Sequence, residues 1–248
     1  MSSPNFILIR GLIRNNQHWG IFYDLLLKNY PDSEIVLLEL PGNGKKYQET
    51  SALSVADYVE QLRQEWLARK KQSHNWKVIA VSLGAMVALK WASKYNDFDQ
   101  IFLINTSSAD VANPLNRLSK KALMKVVKLF FSKDSFKIEK AILELTLRIK
   151  KVDDELITKW AAIADKYPVS RKNLMRQLIA ASKFISPKTV NANVTFMAGR
   201  YDALANYRCS EKLAKKYNSS YFLHESAGHD LPLEDTDWVL DKIKRNLE

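Results

Sequence analysis

Three residues of this chain, Ser82, Asp202 and His229, are of the types that together turn a hydroxyl into a nucleophile. Ser82 stands in Ala80-Val81-Ser82-Leu83-Gly84-Ala85, directly after the apolar run Trp76–Val81 and directly before a stretch of helical composition. A serine on a sharp strand-to-helix turn is lifted out of a sheet, with small neighbours allowing the tight backbone. The N-terminus of the following helix favours negative charge developing there. Ala80 occupies the place where the usual elbow pattern has glycine. Taken alone, a serine at that point also fits a plain helix cap.

Asp202 and His229 alter that balance. Asp202 follows the strand-like run Asn193–Met197 through Ala198-Gly199-Arg200-Tyr201, and His229 lies in Glu225-Ser226-Ala227-Gly228-His229-Asp230, just beyond the run Ser219–Leu223. A serine hydroxyl is a poor nucleophile until an imidazole takes its proton, and the imidazole must be held in one tautomer by an acid. The order Ser, Asp, His, with each residue after a strand, is the pattern such chemistry takes on an open α/β sheet.

The elements that would position these residues follow from hydrophobic periodicity. Strands are expected at Phe6–Ile9, Glu34–Glu39, Trp76–Val81, Gln100–Ile104, Asn193–Met197 and Ser219–Leu223, with helices near 17–28, 54–69, 84–94 and 206–216 and one beginning near Thr236. From 109 to 188 no strand pattern occurs, and the segment reads as successive basic amphipathic helices. Alternating strands and helices imply a mostly parallel sheet of about six strands with helices on both faces. A helical insertion after the fourth strand is then expected to cap the carboxyl edge, where open sheets bind ligands. The domain reading is a core of residues 1–108 and 189–248, with a helical cap at 109–188.

On these motifs the chain resembles the α/β-hydrolase superfamily over nearly its whole length, and within it the small capped esterases that include the pimeloyl-carrier methyl ester esterases. The matching segments are Ile7-Leu8-Ile9-Arg10-Gly11-Leu12 with His18-Trp19, Leu40-Pro41-Gly42-Asn43-Gly44, Val81-Ser82-Leu83-Gly84, Gly199–Asp202 and Gly228-His229. The resemblance implies a carboxylic ester or thioester hydrolase working through an acyl-enzyme, with Ser82 as nucleophile, His229 as base and Asp202 orienting it. It also implies an oxyanion hole made by the backbone N–H groups of Leu12 and Leu83, and no metal or organic cofactor. The sequence departs from the family pattern at Ala80 and at Arg10, where members usually carry histidine; Arg10 is expected to brace the oxyanion loop. The chain starts at what resembles the family's third strand.

The other candidates have simpler readings. His18 is expected to pack or hydrogen-bond, His74 to be solvated, and Asp230 and Glu234 to be exposed or helix-capping acids. His224 is a rival to His229 and lacks its motif, while Asp97 and Asp99 rival Asp202 from a loop that leads into a strand. Cys209 has no partner at disulfide or metal-ligand spacing and reads as a small helix residue.

Charge sits unevenly. The net charge is +11, and residues 109–190 hold 18 Lys and Arg against 8 Asp and Glu. Within it, Lys120–Phe131 places Leu123, Val126, Val127, Phe130 and Phe131 near one face, with lysines largely opposite. A solvated lysine face is the ordinary reading; an acidic carrier or an anionic membrane surface is the functional one. Nucleic acid is disfavoured because no recognised binding motif accompanies the charge. No run of 18 apolar residues, no leader-like N-terminus and a single cysteine point to the cytoplasm. Carbon–carbon bond hydrolysis or perhydrolysis on the same triad, or a non-catalytic binding role on this fold, remain the alternatives.

Overall fold

The computed structural model describes residues 3–72, 74–113, 117, 124, 125 and 132–247. Six strands form one sheet in the order β2-β1-β3-β4-β5-β6, with every neighbouring pair parallel. They are β1 (Asn5–Ile9), β2 (Ile35–Leu38), β3 (Trp76–Val81), β4 (Gln100–Ile104), β5 (Asn193–Gly199) and β6 (Ser220–His224). Side chains alternate across the sheet, so each central strand feeds two cores. Ile7 and Ile9 join Val78 and Ala80 on one face, whereas Phe6 and Leu8 join Ile79 and Val81 on the other. Near-continuous apolar strands are what a sheet covered on both faces requires.

The first face is covered by α2 (Val55–Arg69), α3 (Leu83–Lys94) and α7 (Tyr207–Tyr217). Its densest part is aromatic, with Trp66 edge-on to both Trp76 and Trp91. The second face is covered by α1 (Ile21–Asn29) and α9 (Thr236–Arg245). The single helix expected at 17–28 divides at Gly20 into a 3₁₀ turn, Asn16–Trp19, and α1. Asn15 and His18 form a reciprocal capping box that ends the chain's run from β1 at that turn.

Between β4 and β5 lie α4 (Ser135–Thr146), α5 (Asp154–Lys166) and α6 (Arg171–Lys183). Most of the expected helix at Lys120–Phe131 falls outside the described residues. Two of the three helices, α4 and α6, are tied to the carboxyl edge by buried polar groups. Arg14 reaches Glu139 of α4 at 2.8 Å, and Gln177 of α6 takes the Ile13 N–H at 3.0 Å while donating to Asn43 at 2.7 Å. Because all six strands are parallel, the loops after β1, β3, β4, β5 and β6 open on that same edge. Among the described residues no helix is long and apolar enough to cross a membrane.

Candidate active site

Ser82 follows β3 and occupies the N-cap position of α3, yet it does not behave as a cap. Its backbone sits at φ 57°, ψ −117°, and its side chain makes no capping hydrogen bond. A non-glycine residue in that region costs about 1–3 kcal/mol and persists only where its surroundings enforce it. Here they do. The Ser82 N–H donates to the Ile104 carbonyl at 2.9 Å, and the Thr106 hydroxyl donates to the Ser82 carbonyl at 3.2 Å. A side chain on Gly84 would lie 2.5 Å from the Ile9 carbonyl oxygen, so only glycine lets α3 start this close to the end of β1. Ala80, in place of the usual elbow glycine, is fully buried among the α2 and α3 side chains.

The loop after β1 lies against the elbow. A Cβ on Gly11 would meet the Ser82 Cβ at 2.9 Å and the Leu83 nitrogen at 3.4 Å, which places Leu12 beside the first turn of α3. Leu83 opens that helix, so its N–H has no acceptor within it. Ile13 is held at φ 54°, an uncommon conformation for a β-branched residue, and its N–H bond to Gln177 helps to fix it.

The acid and the imidazole meet directly. His229 Nδ1 lies 2.7 Å from Asp202 Oδ2, and the Asp202 side chain is fully buried. Asp202 Oδ1 accepts from the Leu204 and Ala205 N–H groups at 2.7 and 2.8 Å, which leaves its other oxygen to the ring. With Nδ1 committed to the acid, Nε2 is the ring nitrogen open to a nucleophile. The His229 N–H donates to the carbonyl of Thr146, the last residue of α4, at 2.7 Å.

Asn105, which the sequence reading passed over, is the strut of the site. It follows β4 at φ 50° and is 1% exposed. Its Oδ1 accepts from the Gly199 N–H at 2.8 Å, and its Nδ2 donates to the carbonyls of Gly228 and His229 at 3.1 and 2.6 Å. One amide thereby joins the end of β5, which carries the acid, to the loop of the imidazole. The signal was present as the abrupt polar run Asn105-Thr106-Ser107-Ser108 after an apolar strand.

Two of the expected surface acids are not surface groups. Asp230 stands at the start of the short helix α8 (Leu231–Glu234) but does not cap it. It is 4% exposed and is bound to Arg10 through both carboxylate oxygens, at 3.0 and 2.5 Å. Burial opposes its ionisation, and the Arg10 guanidinium outweighs burial and holds the carboxyl below its ordinary range. Glu234 is partly buried and accepts from the N–H groups of Gly228, Arg148 and Ile149. The expectation failed because periodicity reports helix faces and cannot show a loop folding back over the sheet edge.

The remaining histidines serve structure. His18 is buried edge-on to Trp160, and burial together with the Arg14 and Arg10 charges keeps it neutral well below its ordinary pKa. His224 pairs with Asp235 at 3.1 Å, while its Nδ1 accepts from the Ala227 N–H at 3.1 Å. His74 is exposed. Asp97 binds Arg63 and Asp99 binds Lys77, both just before β4 and thus at the opposite edge of the sheet. Cys209 is buried in α7.

The chain belongs to the α/β-hydrolase fold family, whose model matches residues 4–236. Among solved structures it is similar to a protein of Acinetobacter baumannii assigned as a lipase, at 23% identity and a TM-score of 0.80, covering 99% of this chain and 83% of that one. It is similar also to a lipase-esterase related protein from Clostridium acetobutylicum, with 19% identity, a TM-score of 0.74 and coverage of 98% and 95%. An esterase from Exiguobacterium antarcticum gives 15% identity, a TM-score of 0.76 and coverage of 98% and 93%. A search of curated protein sequences gave no match.

Proposed function

We propose that this protein is a serine hydrolase that cleaves a carboxylic ester or thioester through an acyl-enzyme. The observation that carries the reading is the pair His229–Asp202 at 2.7 Å on the same sheet edge as Ser82, whose backbone is held in a strained elbow. Ser82 Oγ attacks the acyl carbon while His229 Nε2 takes its proton. Asp202 holds the ring in the tautomer with hydrogen on Nδ1 and stabilises the imidazolium. The N–H groups of Leu12 and Leu83 receive the oxyanion, each contributing about 3 kcal/mol to lowering the barrier. His229 then gives its proton to the leaving oxygen or sulfur, and a water activated by the same nitrogen releases the acid.

Residues 109–188 act as the cap in this reading, with α4, α5 and α6 over the carboxyl edge. The lipase and esterase neighbours support an acyl substrate. The excess of positive charge between 109 and 190 would suit an acyl group presented on an acidic carrier. Labelling with a fluorophosphonate probe tests the reading. One adduct on Ser82, absent from Ser82→Ala and His229→Ala, is expected; a folded wild-type protein that takes no label under conditions that label other serine esterases would overturn it.

A further inference from the structure

In the sheet order, β1 and β6 stand four places apart, which is about 19 Å at the usual strand spacing. The loops that follow them nevertheless meet over the sheet edge through the bidentate contact of Arg10 with Asp230. Arg10 leads directly into Gly11 and Leu12, and Asp230 directly follows His229. The contact therefore ties the proposed oxyanion loop to the loop of the proposed base. Both side chains are about 4–5% exposed, and the guanidinium carbon lies 5.1 Å from the centre of the Trp19 ring. The Arg10 Nε has no hydrogen-bond partner among the described residues.

Such a pair is a poor device for stability alone. Removing two charges from water offsets most of their attraction, and a well-packed apolar pair is often as stable or more so. What the bidentate fork supplies is fixed geometry. The charged groups around the His229 loop are Asp202 at the ring, Asp230 with Arg10, Arg14 with Glu139, and, beside Gly228, Glu234 and the side chain of Arg148, which are not paired with one another. Within that set, Arg10 and Asp230 cancel one another only while both are present.

Resting on the reading of His229 as general base, we propose that Arg10 and Asp230 form a positioning pair. They set the base against the oxyanion donors and keep the charge beside the imidazole balanced. Loss of the anion alone leaves a cation near the ring and disfavours the imidazolium. Loss of the cation alone leaves an anion and favours it.

The test is the pH profile of kcat/KM for a short p-nitrophenyl ester with wild type, Asp230→Asn, Arg10→Met, Arg10→Lys and the double variant Arg10→Met/Asp230→Asn. The acid limb is expected to move down in pH for Asp230→Asn and up for Arg10→Met, each by roughly half a unit or more. In the double variant it returns to the wild-type position while kcat stays about tenfold low with little change in KM. Arg10→Lys keeps the wild-type limb and part of the lost kcat. The double variant leaves no unpaired buried charge, so it keeps the test decisive if a single variant does not fold. Folded variants with coincident acid limbs and kcat within about twofold of wild type would overturn the positioning pair alone. A wild-type protein without Ser82-dependent hydrolysis would overturn the hydrolase reading and the proposal with it.

Discussion

The Asn105 side-chain amide donates to the main-chain carbonyl of His229 at 2.6 Å, so the height of the imidazole is set from the end of β4. The same side chain accepts from Gly199 at 2.8 Å, and both contacts are buried. Replacing Asn105 with alanine strands two carbonyls and an N–H. Each buried group left unpaired costs about 1–3 kcal/mol, partly relieved where water enters. A loss of roughly 2–4 kcal/mol in urea denaturation is expected, together with a fall of tenfold or more in kcat. An Asn105→Ala protein of wild-type stability would show that the strut holds nothing.

Asp202→Asn should leave the fold in place and remove the charge that stabilises imidazolium. The amide can also donate to Nδ1 and so select the wrong tautomer. Steady-state hydrolysis of a p-nitrophenyl ester should then show kcat reduced by on the order of 10³-fold to 10⁴-fold, with KM nearly constant. A reduction below about tenfold would point to a different acid.

Ser82→Gly separates the backbone cost of the elbow from its chemistry. Glycine is at ease at φ 57°, and relief of about 1–3 kcal/mol exceeds the ~0.5–1 kcal/mol entropy cost of the added glycine. A raised Tm in calorimetry is expected for Ser82→Gly, and no comparable rise for Ser82→Ala. Equal melting temperatures for the two variants would show that the elbow stores no strain.

Asp110 gives a pH dependence of stability. Burial pushes its carboxyl up, but Lys216 at 2.9 Å and Ser186, through its hydroxyl at 2.6 Å and its N–H at 2.8 Å, outweigh burial and hold it well below the ordinary range. A lowered folded-state pKa adds stability that is complete above the unfolded value of about 3.9 and disappears as pH falls toward the folded one. Urea denaturation should find Asp110→Asn less stable than wild type at pH 6, with the gap narrowing steadily below about pH 4. A gap independent of pH would mean that the carboxylate's charge is not what binds Ser186 and Lys216.

The sheet was legible because it rests on local signals, and so was the placement of Ser82, Asp202 and His229 just beyond strand ends. Runs such as Phe6–Ile9 and Gln100–Ile104 are short and apolar, and Ser82, Asp202 and His229 each follow one of them. The strand expected at Glu34–Glu39 proved shorter, Ile35–Leu38, since Glu39 turns away to accept from Asn16 and Lys45. What escaped the sequence was the set of buried ion pairs that cross the carboxyl edge. Arg10 and Asp230 are 220 positions apart and Arg14 and Glu139 are 125 apart, and nothing in residue spacing joins such pairs. A serine before a helix also looks the same in sequence whether it caps the helix or is lifted from it; only the φ of 57° and the missing cap bond separate the two.

The central claim is a covalent acyl-Ser82 intermediate, and rapid-quench mass spectrometry of the intact protein tests it most directly. Mixed with p-nitrophenyl butyrate and quenched in acid within milliseconds, the wild-type protein should gain the mass of one butyryl group. Peptide mapping should place that group on Ser82, and Ser82→Ala should gain nothing. Hydrolysis of the ester at an unchanged rate by Ser82→Ala, or an acyl group mapped to any other residue, would contradict the account.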